Sequence, residues 1–371
     1  MADSARIDHT GDLIAAIPAM LGFIPQRSLV IAVIRTRTSP ETTPIIDAVA
    51  RYDLEPPGGR QRLAARIAQS LGQICAAEHA ESVLAVIIDD RLAGPKPQEP
   101  HRPWAARYTA LIKALDKSLA THEVLLGGAW AVAAIAGNEL WWALLGGTDG
   151  GVLPDPGESL LAIASEIDGR RIHRSRAELS AGLDVEPDLS ARVAVELDAA
   201  IARCQDRFNR AQRHGEIAGY HRALVEYVLW QVAHTSAGEP PGARAIAELV
   251  PALREPVVRG ALFALAYTEH AEATERLWLS MVRALPGVER ADAAALLGYS
   301  AYARGDGPYA GMAFDAALLV DPGHKMTGLL ESGLRAGMRP GPLRRVARSA
   351  HEMAADLGID LGPLVRAAEV S

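Results

Sequence analysis

Two adjacent aspartates, Asp89 and Asp90, close a short run of apolar, β-branched-rich sequence at residues 83–88. Paired carboxylates at such a place can hold a divalent ion or divide the work of general acid and base. The carboxyl end of a strand is also where open α/β sheets form their ligand crevices. Turn chemistry competes as an explanation, because aspartate suits the first residues of a loop.

A second candidate lies at residues 21–28. Gly22 and Pro25 impose an abrupt path from helix to strand, which presents Arg27 and Ser28 to a ligand or forms a rigid connector with Phe23 in the core. No histidine stands near Ser28 in sequence, so nothing marks it as a nucleophile. Trp141 and Trp142 occupy successive strand positions and face opposite ways, one toward the core and the other toward a pocket wall or sticky surface. Arg170, Arg171, Arg174 and Arg176, with His173 and Ser175, form a basic knot ahead of a helix. Such a knot can take an anion, although Ser175 with Glu178 also reads as a capping box. A second arginine group, Arg335, Arg339, Arg344, Arg345 and Arg348, reads as a solvated face. The candidate ligand-binding set is therefore Arg27, Ser28, Asp89, Asp90, Trp141, Trp142, Arg174, Ser175 and Arg176. No catalytic set, no metal site and no particular cofactor is indicated.

Familiar motifs are missing. The glycine-rich stretch at residues 146–151 lacks the lysine of a phosphate-cradling loop, and reads as a connection. No dinucleotide fingerprint opens a helix, and no Gly-x-Ser-x-Gly elbow occurs. His214 and His221 are seven residues apart beside the helix-breaking Gly215 and are expected to face solvent. Two cysteines, Cys75 and Cys204, form neither a disulfide framework nor a zinc knuckle.

The elements that must position these residues follow from periodicity. A helix is expected over residues 12–21, stopped by Gly22 and Pro25. Strands are expected at 28–34, 45–54, 82–89, 124–136 and 139–145, the last two joined across Gly137-Asn138. Helices fall between them at 60–77 and 104–120, after a Pro-rich loop at 94–103. Two short helices follow at 158–168 and 175–183. Strands alternating with helices predict an α/β domain, residues 1–185, with a mixed sheet and flanking helices.

From residue 187 onward helical spacing alone survives, broken near residues 214, 238, 286, 305, 322 and 340. This predicts an all-α domain of helical hairpins over residues 186–371, with 10–17 residues per helix. Residues 291–324 resemble a tetratricopeptide repeat: Leu297, Gly298, Ala310, Phe314, Ala317 and Pro322 fall on its positions. Ala294 and Ala301 depart from it, and an ordinary helical bundle remains the alternative.

Of 371 residues, 38 are basic and 45 acidic, a net charge of −7. The basic-to-acidic balance is 18 to 22 in residues 1–185 and 20 to 23 beyond, so neither half has the basic excess of a nucleic-acid binder. The longest stretch without a charged or strongly polar group, residues 124–137, is 14 residues, too short to cross a bilayer. The first residues lack a secretory or lipidation pattern, so a cytoplasmic location without a membrane partner is expected.

Residues 12–30, from Asp-Leu-Ile-Ala-Ala-Ile-Pro to Gln-Arg-Ser-Leu-Val, resemble an uncharacterised actinobacterial family catalogued as domain of unknown function 4192. So do residues 137–142 with their paired Trp, Ser-Arg-Ala-Glu-Leu at 175–179, and Gly-Asp-Gly at 305–307 leading to Asp321-Pro322. The likeness covers nearly the whole chain and implies no activity. The expected function is a non-catalytic binding or adaptor protein that meets a protein partner through its helical domain. The alternative is a small-molecule or nucleotide-binding enzyme or sensor with its site at the strand ends of the α/β domain.

Overall fold

The structure is a computed structural model. It describes residues 9–36, 44–54, 60–78, 80, 82–92, 103–145, 149–167 and 171–365. The chain divides into two compact units, one of residues 1–179 with 335–338 and the other of residues 180–334 with 339–371.

The first unit opens with α1 (Thr10–Leu21), whose apolar residues Leu13, Ile14 and Ile17 are buried. It ends at Gly22, where φ of +73° needs a residue without a side chain. There follow β1 (Ser28–Thr36), β2 (Pro44–Asp53), α2 (Arg60–Glu78), β3 (Ser82–Ile88), α3 (Pro103–Ala120), β4 (Leu125–Val132), β5 (Leu140–Leu145) and β6 (Gly150–Val152). Two short helices, α4 (Leu160–Ile167) and α5 (Arg176–Ala181), complete the run. Among the described residues, these six strands form one mixed sheet in the order β2-β1-β3-β4-β5-β6. Only β3 and β4 pair in parallel, with α3 as their crossover. β1 runs antiparallel to both of its neighbours, so Ser28 at its start pairs with Ile88 at the end of β3 and with Asp53 at the end of β2.

Alternation builds two faces from these strands. Leu29, Ile31 and Val33 of β1 and Val83, Ala85 and Ile87 of β3 pack with Leu63, Ile67 and Leu71 of α2 and Ile112, Leu115 and Leu119 of α3. All are buried, and so are Val30, Ala32, Val86 and Ile88 on the other face, which is why the strands read as unbroken apolar runs. On the opposite face Gly11 of α1 lies against the Trp141 ring, leaving 3.3 Å between the ring nitrogen and the place a β-carbon would take.

Five strands were legible in the sequence; β6 was not. It lies in the glycine-rich stretch read as a connection, of which residues 146–148 are outside the described residues. A β-carbon on Gly151 would stand 3.0 Å from the Trp141 indole nitrogen, so the site demands the residue type that erases a strand's sequence signature. The first hairpin strand also ends earlier than expected, at Val132. The chain then turns through Asn138 at φ +67°.

The second unit is helical: α6 (Pro187–His214), α7 (Ile217–Ser236), α8 (Ala243–Arg254), α9 (Pro256–Leu262), α10 (Ala271–Ala284), α11 (Glu289–Ala303), α12 (Gly307–Val320), α13 (Lys325–Arg335) and α14 (Gly341–Asp356). α6 has 28 residues and α7 has 20, longer than the expected hairpin arms. α9, with the 3₁₀ turn Phe263–Tyr267 behind it, went unseen because Pro256 starts a helix one residue after the previous one stops. Within the predicted hairpin, α11 and α12 pack with Leu297, Ala310, Phe314 and Ala317 wholly buried. Gly298 gives its space to the Phe314 ring; a β-carbon there would overlap it. His214 is exposed as expected, but His221 is turned inward, with its Nε2 3.5 Å from Glu255 Oε2. Apolar neighbours on α7, Tyr220 and Leu224, draw that face of the helix into the core.

Candidate functional site

Because β1 is antiparallel to β3, the start of one and the end of the other meet at a single edge of the sheet. Arg27 and Asp90 lie there in an exposed, two-toothed ion pair, Nε to Oδ1 2.8 Å and Nη2 to Oδ2 3.1 Å. The Arg27 hydrogen bond holds the Asp90 carboxyl below its ordinary range. Arg27 adopts φ +45°, a left-handed backbone that a non-glycine residue enters at a cost. The Arg27 carbonyl accepts the Leu54 amide at 3.1 Å, which ties this turn to the end of β2.

Asp89 is wholly buried behind that pair. Its Oδ1 accepts from the Arg91 amide at 3.0 Å and from Arg91 Nε at 2.8 Å, and its Oδ2 accepts from Arg91 Nη2 at 2.7 Å and from the Tyr108 hydroxyl of α3. Burial by itself would raise its pKa. The hydrogen bonds from Arg91 and Tyr108 outweigh that effect and hold it at about 2. A carboxylate held ionised throughout the neutral range is poorly matched to proton transfer there, because general acid–base work is most efficient with a pKa near the working pH. Asp89 fixes Arg91 and Tyr108 in place.

Ser28 is equally committed. Its hydroxyl donates to the Gln26 carbonyl at 2.6 Å and accepts from Arg51 Nε at 2.8 Å, and Arg51 also reaches Asp53 at 2.6 Å. Trp141 stands at the same end of the sheet, paired with Val132, whose carbonyl accepts the Asp89 amide at 3.1 Å. Trp142 faces the other way and packs against the core under α2 and α3.

Arg174, Ser175 and Arg176 lie apart from this cluster. The connector ties the segment before them to the cluster's loop, where Ile24 N donates to the His173 carbonyl at 2.9 Å and His173 N to the Gly22 carbonyl at 2.8 Å. The Ser175 hydroxyl accepts the Glu178 amide at 3.1 Å, and Glu178 accepts the Arg174 amide at 2.7 Å. This is helix capping. Arg170 lies outside the described residues. In the second arginine group Arg335, Arg339, Arg345 and Arg348 are exposed, while Arg344 lies over the Tyr267 ring at 5.7 Å.

Sequence reading missed Arg51, Arg91 and Tyr108. Arg91 had a signal in its spacing, two residues past Asp89, where a side chain can fold back on a turn. Tyr108 had none, since only the α3 crossover carries it beneath the strand end. Among the described residues, no three His, Cys, Asp or Glu side chains converge as metal ligands, and no helix is long and apolar enough to cross a membrane.

A mixed sheet with helices is followed by a helical unit, and the sequence that builds both falls within one known sequence family. The chain belongs to that family, described as domain of unknown function (DUF4192), whose model matches residues 11–341. No curated protein and no solved structure matches it.

Proposed function

We propose that this chain is a non-catalytic, cytoplasmic binding protein whose helical unit meets a protein partner. The observation that carries this reading is the commitment of Asp89, buried and pinned by Arg91 and Tyr108 with a pKa of about 2. The residue best placed for proton transfer is thereby kept as a fixed charge. Successive helices of the second unit support a partner surface, as stacked hairpins do in repeat proteins. Leu319 on α12 is 78% exposed and Leu329 on α13 is 72% exposed. Affinity capture from the native lysate tests this. A specific partner should be retained by the wild-type chain and lost from L319D/L329D of unchanged melting temperature. No specific partner, or one kept by the variant, overturns the reading.

A second reading, a sensor for a small polar ligand, is favoured by one observation: Arg27, Asp90, Arg91 and Arg51 converge at the strand ends. A thermal-shift panel of nucleotides and metabolites distinguishes it, since a ligand at 100 times its Kd adds about 2.7 kcal/mol of stability. The shift should vanish in R27A.

A further inference from the structure

The near-even charge of the helical half hides a local imbalance on α6. Residues 203–214 hold Arg203, Arg207, Arg210, Arg213 and His214 against a single carboxylate, Asp206. At 100° per residue Arg203, Arg207 and Arg210 fall within about 60° of one another, so they form one stripe. All three are exposed. The helix dipole accounts for Arg213 and His214 in the last turn, where Arg213 Nε also donates to the Asn209 carbonyl at 3.2 Å. The dipole fades within that turn and does not explain the stripe behind it. Arg207 and Arg210 have no hydrogen-bonding or ionic partner among the described residues.

The Arg203 end of the stripe runs into an aromatic stack. One oxygen of Glu248 on α8 accepts from Arg203 Nη2 and from Arg244 Nε, each at 3.2 Å, and the other accepts from the Tyr227 hydroxyl at 3.2 Å. A single carboxylate thus answers two guanidiniums and fixes the Tyr227 ring. Arg203 and Arg244 are exposed and Glu248 and Tyr227 partly so, which keeps this chain of contacts at the surface. Trp230, one turn along α7, stacks on Tyr227 with ring centres 6.0 Å apart and planes 21° apart. His234 holds it from the next turn, the rings 3.9 Å apart and Nδ1 donating to the Trp230 carbonyl at 2.9 Å. Propped in this way, Trp230 is still 53% exposed, where tryptophan is on average well buried.

Unanswered guanidiniums suit repeated negative charge, and a propped, exposed indole suits a flat π-face. A single-stranded nucleic acid supplies both, phosphates for the arginines and an unstacked base for Trp230. A duplex keeps its bases stacked inside and offers Trp230 nothing. An acidic peptide supplies the charge without the series of flat rings.

We infer that the α6 stripe and Trp230 form a binding track for single-stranded nucleic acid, an activity beyond the partner binding proposed for the helical unit. Stacking and phosphate contact read neither sequence nor sugar, so DNA and RNA strands are taken alike. The test is fluorescence anisotropy of the full chain with labelled oligo(dT) and oligo(U) of about ten nucleotides, with a duplex and polyglutamate as competitors. The wild-type chain should bind both strands, log K falling linearly with log salt at a slope of about −2, as for about three phosphates at roughly 0.7 each. R207Q/R210Q should flatten that slope to about −0.7. W230A, of unchanged melting temperature, should weaken binding at least fivefold and leave the slope alone. No binding at about 50 mM salt overturns the proposal, as does binding indifferent to R207Q/R210Q or to W230A. A duplex that competes as well as a single strand also overturns it, and polyglutamate that does so would give the stripe to an acidic protein instead.

Discussion

Arg27 and Asp90 are separated by 63 residues in sequence and joined by two hydrogen bonds in space, at 2.8 and 3.1 Å. The antiparallel pairing of β1 with β3 makes that meeting unavoidable, because Ser28 and Ile88 are partners in the register. The pair is exposed, whereas the next aspartate along is buried on an arginine of its own turn. Two neighbouring carboxylates thus have different partners and different consequences.

Asp89→Asn removes the charge that pins Arg91 while keeping the side chain's shape. Leaving the buried Tyr108 hydroxyl and the Arg91 guanidinium without their carboxylate should cost about 2 kcal/mol in chemical denaturation. Asp90→Asn, on the exposed pair, should change little.

Acid should expose the same difference. Asp89 is held at about 2, below its unfolded value, so its contribution is complete above the unfolded pKa and is lost as pH falls toward the folded one. Unfolding monitored from pH 5 down to 2 should show a loss of about 2 kcal/mol that D89N lacks.

Arg27 occupies a left-handed backbone at φ +45°. Arg27→Gly should leave the melting temperature unchanged or raise it, since glycine enters that region without strain. Arg27→Ile, branched at Cβ, should lower it by roughly 2–4 °C.

Gly298 and Phe314 bind α11 to α12 by shape alone. Gly298→Ala drives a methyl group into the ring and should cost about 2–3 kcal/mol. Adding Phe314→Leu should recover at least 1 kcal/mol relative to the sum of the single changes, which a double-mutant cycle measures.

What the sequence disclosed follows a physical division. Buried strands β1 and β3 announced themselves because both faces are covered, and α1 announced its end because Gly22 must turn left-handed. The α11–α12 hairpin was readable because Gly298 and Phe314 are complementary in size. β6 was hidden because the Trp141 ring requires glycine where a strand would show β-branched residues. The meeting of Arg27 with Asp90 depended on strand order, which no local pattern records, and so did the approach of Tyr108 to Asp89.

The claim that this sheet end holds charge in place and does not move protons is tested most directly by following the Asp89 carboxyl carbon by NMR across pH 2–9, assigned with D89N. Asp89 should stay ionised from pH 9 down past pH 4 and reach half-protonation only at about 2. A titration midpoint between 5 and 8 would contradict the account and return Asp89 to the acid–base chemistry that its position at the strand end first suggested.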